Sequence, residues 1–92
     1  MSAPKVPEGH FTLLYFASAS SFTKKQHEFF STPLKVCDLL AALERQYPGI
    51  KEKILDSSAL TINLDYVDLD EARTTTINDG DEVAIIPPVS SG

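Results

Sequence analysis

The spacing of apolar residues changes twice along the chain, and each change predicts a different kind of element. Residues 11–17 (FTLLYFA) are nearly continuous in apolar side chains, a pattern typical of a strand buried on both faces. Residues 27–31 (HEFFS) predict a second strand, and the polar stretch SASSFTKK at 18–25 predicts a turn between the two. The first third of the chain is therefore a predicted β-hairpin.

The middle of the chain has a helical period. Apolar side chains recur three, four and seven residues apart, at Val36, Leu39, Leu40, Leu43 and Tyr47. This spacing puts them on one face and predicts an amphipathic helix over residues 36–47. The segment STP at 31–33 predicts the cap and start of this helix, and PG at 48–49 predicts its end. Residues 50–55 predict one further helical turn.

The last third returns to short segments typical of strands. These are LTINL at residues 60–64, YVDL at 66–69, TTTI at 74–77 and EVAII at 82–86. The YVDL segment either pairs with LTINL or prolongs it. NDGD at 78–81 predicts a tight turn, because Gly80 is free to adopt a positive φ. Pro87 and Pro88 then end the last strand, since proline offers no N–H to a sheet ladder.

The predicted order of elements is ββ–α–ββ–β, with one substantial helix. A compact solution lays that helix across one face of a mixed sheet, with the first and last strands side by side in the centre. This is the α+β arrangement called the β-grasp, as in ubiquitin, and a split β-α-β fold is the alternative. We divide the chain into a flexible lead-in at residues 1–10, a β-grasp domain at 11–88 and an extended functional tail at 89–92.

Length and charge restrict the function further. Ninety-two residues, 42% of them hydrophobic, leave little room for both a core and a deep enzyme cleft, which favours a binding or carrier module over a stand-alone catalyst. Residues 1–51 carry six Lys/Arg against four acids, whereas residues 52–92 carry two against nine. The acidic half argues against nucleic acid and anionic membranes as partners and suits a basic protein surface. An acidic face kept for solubility explains it equally well.

The cysteine content and the absence of long apolar runs predict the cellular compartment. Cys37 is the single cysteine, so an internal disulfide and a four-cysteine metal site are both excluded. No segment approaches the roughly 20 apolar residues that cross a bilayer, and the first ten residues contain no signal-like apolar run. These features predict a protein of the reducing cytosol.

Few residues are candidates for chemistry within the domain. Cys37, at the start of the predicted helix, is a nucleophile if its thiolate is stabilised there, but a half-buried core residue is the favoured interpretation. His10 and His27 are isolated and lack the spacing of a metal site. Two acidic groups are interpreted as solvated turns or protein contacts rather than ion sites: Asp68, Asp70 and Glu71, and then Asp79, Asp81 and Glu82. We therefore predict no metal site and no catalytic pair.

The C-terminal residues offer a different kind of chemistry. Pro87 and Pro88 fix φ at two successive positions, which favours a tail that projects from the sheet. Gly92 has no Cβ to hinder an attack on its carbonyl, once another enzyme has activated the carboxylate. A frayed terminus without function is the equally weighted alternative on physical grounds.

The motifs of this chain resemble those of a known family. GDEVAIIPPVSSG, together with LLYFASAS, LERQYPGI and NLDYVDLDEARTTTINDGDEVAIIPP, is similar to the small, sulfur-carrying subunit of molybdopterin synthase, in its eukaryotic branch. The resemblance covers nearly the whole chain from Phe11 onward. It implies a ubiquitin-like β-grasp protein that is not an enzyme by itself. Its terminal glycine is adenylated by an activating enzyme with ATP, converted to a thiocarboxylate, and used to deliver sulfur to a cyclic pterin phosphate.

The resemblance also assigns roles to residues. It implies that Gly92 bears the adenylate and then the thiocarboxylate, and that the chain binds no cofactor. The implied partners are the activating enzyme and the large synthase subunit. With the large subunit the chain would form a heterotetramer of two small and two large subunits. The tail that enters the partner is Pro87, Pro88, Val89, Ser90 and Ser91. Gly80 matches the family's turn glycine. Phe16, Ile85 and Ile86 fall on its apolar contact surface, although each is equally a candidate for the core.

One residue departs from the family pattern. The family ends in Gly-Gly, and here Ser91 precedes Gly92. The hydroxymethyl group restricts backbone torsion and adds bulk in a narrow channel, so Ser91 is a tolerated variant, an altered sequence or a cause of impaired transfer. The alternative functions are a related β-grasp carrier for tRNA or thiamine thiolation, and a ubiquitin-like interaction module whose tail has no chemical role.

Overall fold

The computed structural model describes residues 5–88, which form a five-stranded mixed sheet, a separate two-stranded pair and several short helices. The strands are β1 (His10–Tyr15), β2 (His27–Ser31), β3 (Leu34–Lys35), β4 (Ala59–Ile62), β5 (Asp65–Tyr66), β6 (Thr76–Ile77) and β7 (Glu82–Ile86). The α-helices are α1 (Ser18–Thr23), α2 (Val36–Gln46) and α3 (Ile50–Lys53), and 3₁₀ turns span Leu55–Ser57 and Leu69–Glu71. Within residues 5–88, no helix is long and apolar enough to cross a membrane.

The main sheet has five strands in the order β2-β1-β7-β4-β5. Strand β1 pairs in parallel with β7, with Leu13 opposite Val83, and the other neighbours in this sheet pair antiparallel. Strands β3 and β6 form a separate two-stranded pair. The first and last strands therefore lie side by side in the centre, which confirms the β-grasp prediction.

Helix α2 covers the inner face of the sheet. Val36, Leu39 and Leu43 are fully buried on this helix, as its period predicts. They join one core cluster with Phe11, Leu13, Leu60, Val83 and Ile85 from the central strands. Leu40 and Tyr47, also on the predicted apolar face, are partly buried against the same cluster. Burial of this stripe fixes the orientation of α2, because a helix is stabilised mainly through its packed face.

Two predictions in the first half of the chain are wrong. The stretch at 18–25 is not a turn: six of its residues form helix α1, whose buried Ala19 and Thr23 attach it to the domain, and the Thr23 hydroxyl donates to the Ala19 carbonyl. The cap of α2 is not the STP segment either. Strand β3 intervenes, and Lys35 caps the helix without a side-chain hydrogen bond. Tertiary contacts fix the start of α2, because the N–H groups of Val36 and Cys37 donate to the carbonyls of Thr75 and Ala72.

The turn before β7 forms as predicted. Gly80 has a φ of +82°, and its N–H donates to the His10 carbonyl at 2.9 Å. The Asp81 carboxylate accepts from the Asn78 N–H at 2.8 Å, so the turn is closed by its own side chain. Asp79 accepts from the Gly9 N–H at 2.9 Å. These bonds hold the start of β1 against the start of β7, and β1 begins at His10, one residue before the predicted domain.

Candidate functional site

The tail leaves the domain from the middle of the sheet. Strand β7 is bonded on both sides up to its last residues: Ala59 of β4 lies opposite Ile86, and the Phe16 N–H donates to the Ile85 carbonyl at 3.3 Å. Pro87 is buried and Pro88 is exposed. Because neither proline has an N–H, the ladder cannot continue past Ile86. The chain exit is therefore fixed at the centre of the sheet edge.

The remaining tail residues of the sequence prediction, Val89, Ser90, Ser91 and Gly92, lie outside the described residues. Their assigned roles stay predictions. The described part of the candidate site consists of the tail root at Pro87 and Pro88 and the sheet face beside it.

The outer face of the sheet, opposite α2, forms a groove beside the tail root. Its lining residues, called here the outer groove, are Leu14, Phe16, Thr61, Leu64, Tyr66, Glu82, Ala84 and Ile86. Buried Thr61 and Ala84 belong to adjacent strands in the middle of the sheet and have small side chains. Large apolar side chains around them reach the solvent: Phe16 is 47% exposed, Ile86 37%, Tyr66 77% and Leu64 83%. Large exposed apolar groups around small buried ones are typical of a protein-binding surface.

Two of the three predicted surface residues lie in the outer groove. Phe16 and Ile86 line it. Ile85 does not: its side chain is 1% exposed and belongs to the core cluster. Successive side chains of a strand point to opposite faces, so adjacent Ile85 and Ile86 cannot both face outward. Ile85 is therefore corrected from the surface to the core.

The β4–β5 hairpin supplies the part of the groove that sequence reasoning missed. Its loop has two residues, Asn63 at φ +50° and Leu64 at φ +75°. The Asn63 side chain fixes this loop to β7, since its Oδ1 accepts from the Glu82 N–H at 2.9 Å and its Nδ2 donates to Asp81 at 3.0 Å. The sequence signal for such a two-residue turn is Asn followed by Gly. Here Leu64 stands in place of the glycine, and the signal is obscured.

The other polar cluster missed by the sequence analysis lies on the inner side of the sheet. The Glu28 carboxylate accepts hydrogen bonds from the Tyr15 hydroxyl at 2.6 Å, the Tyr47 hydroxyl at 2.5 Å and Gln46 at 3.0 Å. Lys25 adds an ion pair at 3.3 Å. Burial alone would raise the pKa of Glu28, but the donors outweigh it and hold that pKa below its usual value. This cluster, called here the Glu28 brace, ties the β1–β2 hairpin to the end of α2.

The pKa values of the two tyrosines in the Glu28 brace are shifted in the opposite direction, upward. Burial, and then the hydrogen bond to Glu28, raises the pKa of Tyr15 far above its usual value, and the same causes raise the pKa of Tyr47. Both phenols are therefore donors at neutral pH. Since Tyr15 and Leu14 point to opposite faces of β1, the brace supports the fold rather than the outer groove.

The other candidates for chemistry have structural surroundings. The Cys37 Sγ lies 3.9 Å from the Asp38 carboxylate, and the residue packs partly buried against the core, as favoured from sequence. His10 Nδ1 lies 2.9 Å from the Glu8 carbonyl. His27 is exposed and contacts the Phe29 ring edge to face. Across residues 5–88, no group of three or more His, Cys, Asp or Glu side chains could hold a metal ion.

Comparison with known proteins agrees with this arrangement. A sequence model described as the ThiS family matches residues 13–92. The chain belongs to the ThiS family. The molybdopterin synthase sulfur carrier subunit of Phaeosphaeria nodorum is 53% identical, and that of Pyrenophora tritici-repentis is 52% identical, with 100% of each chain covered in both cases. These ThiS-family relatives confirm the resemblance found in the tail and in the strand before it.

Solved structures confirm the fold. Small archaeal modifier protein 1 from Methanosarcina acetivorans superposes with a TM-score of 0.73 at 26% identity, over 94% of this chain and 99% of that one. A chain from the complex of subunits 1 and 2 of the Helicobacter pylori molybdopterin-converting factor superposes with a TM-score of 0.64 at 25% identity, over 90% of this chain and 99% of that one. The β-grasp architecture of the ThiS family is thus shared along nearly the whole chain.

Proposed function

We propose that this chain is the sulfur-carrier subunit of a molybdopterin synthase. The observation that carries the proposal is the exit of a glycine-terminated tail from the central strand of a β-grasp sheet, beside the outer groove. Relatives about half identical to the chain bear that name, and the ThiS-family match extends to Gly92. The chain is then a non-catalytic subunit of the complex, because the sulfur acceptor and the acid–base groups belong to its partner.

The proposed activation of Gly92 has three steps. An activating enzyme joins the terminal carboxylate to AMP with release of pyrophosphate from ATP, which makes the carbonyl carbon electrophilic. A persulfide sulfur then displaces AMP, and reduction by a further thiol leaves the thiocarboxylate. Glycine suits this carbon because it carries no side chain to obstruct either attack. The chain needs no bound cofactor of its own, and ATP is used by the activating enzyme.

The second partner is the large synthase subunit, in a heterotetramer of two small and two large subunits. The Helicobacter pylori relative was solved as a complex of subunits 1 and 2 of its factor, which supports a partner of this kind. Four residues follow Pro88, and four residues span at most about 14 Å when extended. The pocket that accepts the thiocarboxylate must therefore open within that distance of Pro88, which brings the partner to the end of the sheet beside the outer groove. The cytosol is the proposed compartment.

Mass spectrometry tests the carrier function. The chain is incubated with the activating enzyme, ATP and a persulfide donor, and replacement of one terminal oxygen by sulfur should raise its intact mass by the difference between the two atoms. A chain that lacks Gly92 is the negative control, and Ser91→Gly restores the family's Gly-Gly end. If neither the natural chain nor Ser91→Gly gains sulfur, the proposal is wrong. If only Ser91→Gly does, Ser91 impairs activation.

Partner capture distinguishes the alternative functions. Recovery of a tRNA-thiolating or thiazole-forming enzyme in place of the large synthase subunit would favour a related carrier. Unchanged cofactor production in cells whose chain lacks Ser91 and Gly92 would favour a ubiquitin-like module without sulfur chemistry.

A further inference from the structure

Leu64 occupies a backbone conformation and an environment that both disfavour leucine. Its φ of +75° lies in the left-handed region, where the Cβ crowds the following carbonyl oxygen. Asn63 before it is also left-handed, and the second position of such a two-residue hairpin loop favours glycine. The side chain is 83% exposed, so folding of the isolated chain gains little apolar burial from it. The isolated fold does not account for leucine at this position.

The support beneath Leu64 is fixed. The Asn63 side chain makes one hydrogen bond to the Glu82 N–H and one to the Asp81 carboxylate, at 2.9 and 3.0 Å. Strand β4 is paired with β7 immediately before the loop, with Ile62 opposite Val83. The loop is therefore pre-organised, and it presents an apolar side chain to solvent at little further entropic cost on binding.

Leu64 and the tail root lie at opposite ends of the outer groove. Because β4 runs antiparallel to β7, Ala59 lies opposite Ile86 near the tail, whereas Ile62 and the loop lie beside Glu82 at the start of β7. Leu64 at one end and Ile86 at the other both line the same groove. A protein that receives the tail and covers the groove reaches Leu64 at the far end.

The far end of the groove is acidic. Glu82 lines it, exposed Asp65 directly follows Leu64, and Asp81 lies against the loop. Among residues 59–88, Arg73 is the single basic residue. A partner surface that complements this end has an apolar pocket with Lys or Arg on its rim.

We propose that Leu64 is a specificity-determining anchor that inserts into an apolar, basic-rimmed pocket on the large synthase subunit. The inference rests on the proposed function for the identity of the partner. It adds a second point of attachment, distant from the tail, that selects the large subunit independently of sulfur transfer. The leucine is unfavourable in the free chain and favourable in the complex, so stability and affinity should respond to its replacement in opposite directions.

Calorimetric titration of the unmodified chain against the large subunit tests this role. Leu64→Asn keeps a similar shape and tolerates the left-handed conformation, but its side chain is polar. We expect it to weaken the affinity about tenfold and to leave the melting temperature equal to or above that of the natural chain. Leu64→Met should retain affinity within about twofold, because its side chain is also apolar and flexible. The matched control is Leu69→Asn, an exposed leucine outside the groove, which should bind like the natural chain.

Three results would overturn the inference. Equal affinities of the natural chain and Leu64→Asn would mean that Leu64 is not an anchor. A lower melting temperature for Leu64→Asn would mean that the leucine serves the fold. The titration does not require sulfur on Gly92, so a failed mass shift in the preceding experiment, with normal binding here, would contradict the sulfur chemistry alone. If the natural chain does not bind the large subunit at all, the proposed partner and this inference both fail.

Discussion

The two faces of the central sheet are built from alternating residues of the same strands, yet they differ in what surrounds them. On the inner face, Leu13, Val83 and Ile85 are packed beneath α2 and are almost fully buried. On the outer face, small buried residues are bordered by large exposed ones such as Phe16 and Ile86. Burial on the inner face stabilises the chain by itself, whereas the apolar groups of the outer face gain burial only in a complex.

Ile85 and Ile86 give the most direct test of this difference between faces. They are adjacent and chemically identical, but the first is 1% exposed and the second 37%. Ile85→Ala should lower the free energy of unfolding by about 3 kcal/mol, because it removes core contacts and leaves a cavity. Ile86→Ala should cost less than about 1 kcal/mol and instead weaken binding to the large subunit. Urea unfolding and titration of both variants measure the two effects.

The results for Ile85→Ala and Ile86→Ala also test the assignment of Ile85 to the core rather than to the contact surface. Similar losses of stability from both substitutions would show that the outer face is part of the core in solution. A large loss of affinity from Ile85→Ala with full stability would return Ile85 to the contact surface.

The Glu28 brace provides the polar counterpart on the inner side. Glu28→Gln keeps the shape of the side chain but weakens acceptance from the Tyr15 and Tyr47 hydroxyls, which lie 2.6 and 2.5 Å from the carboxylate. Charged acceptors give stronger hydrogen bonds than neutral ones, so we expect a loss of about 1–2 kcal/mol in the free energy of unfolding. Affinity for the large subunit should stay unchanged, because the brace does not line the outer groove. Urea unfolding at neutral pH and titration measure the two quantities.

The brace also predicts the pH dependence of stability. The pKa of Glu28 lies below its usual 4.5 in the folded chain, so the unfolded chain binds the proton first as the pH falls. The stabilisation is complete above pH 4.5 and is lost as the pH drops through the lowered folded value. Glu28→Gln should therefore flatten the acid limb of a stability–pH curve, measured by urea unfolding at a series of pH values. An acid limb unchanged by Glu28→Gln would contradict the brace.

Much of the fold could be predicted from the chain because its strongest signals are local. The period of three and four residues in α2, the NDGD turn and the run EVAII each identify one element without knowledge of the rest. The secondary structure of residues 18–25 could not be assigned from a local signal of this kind. Its Ser and Thr residues have weak helix propensity, and it is helical because Ala19 and Phe22 pack against the core.

The candidate site was predicted in the tail and only partly in the domain. A glycine terminus after two prolines is readable from sequence, whereas the outer groove joins residues from β1, β4, β5, β7 and the hairpin loop. Tyr66 and Leu64 enter it through strand pairing that no local pattern specifies. For the same reason, the run EVAII does not reveal which isoleucine faces outward. The Glu28 brace was missed because Tyr15, Glu28 and Tyr47 belong to three separate elements.

The smallest expected effect compares two left-handed positions, one that follows turn chemistry and one that does not. Gly80 has a φ of +82°, and a Cβ there would meet nothing within 4 Å, so its replacement strains the backbone without a clash. Gly80→Ala should lower the free energy of unfolding by about 1 kcal/mol and leave affinity for the large subunit unchanged, since Gly80 does not line the groove. Leu64→Asn should do the reverse, with preserved stability and lower affinity. Thermal unfolding and titration of both variants measure these effects. If Gly80→Ala alters affinity as strongly as Leu64→Asn, these two turns cannot be divided into one that stabilises the fold and one that binds the partner.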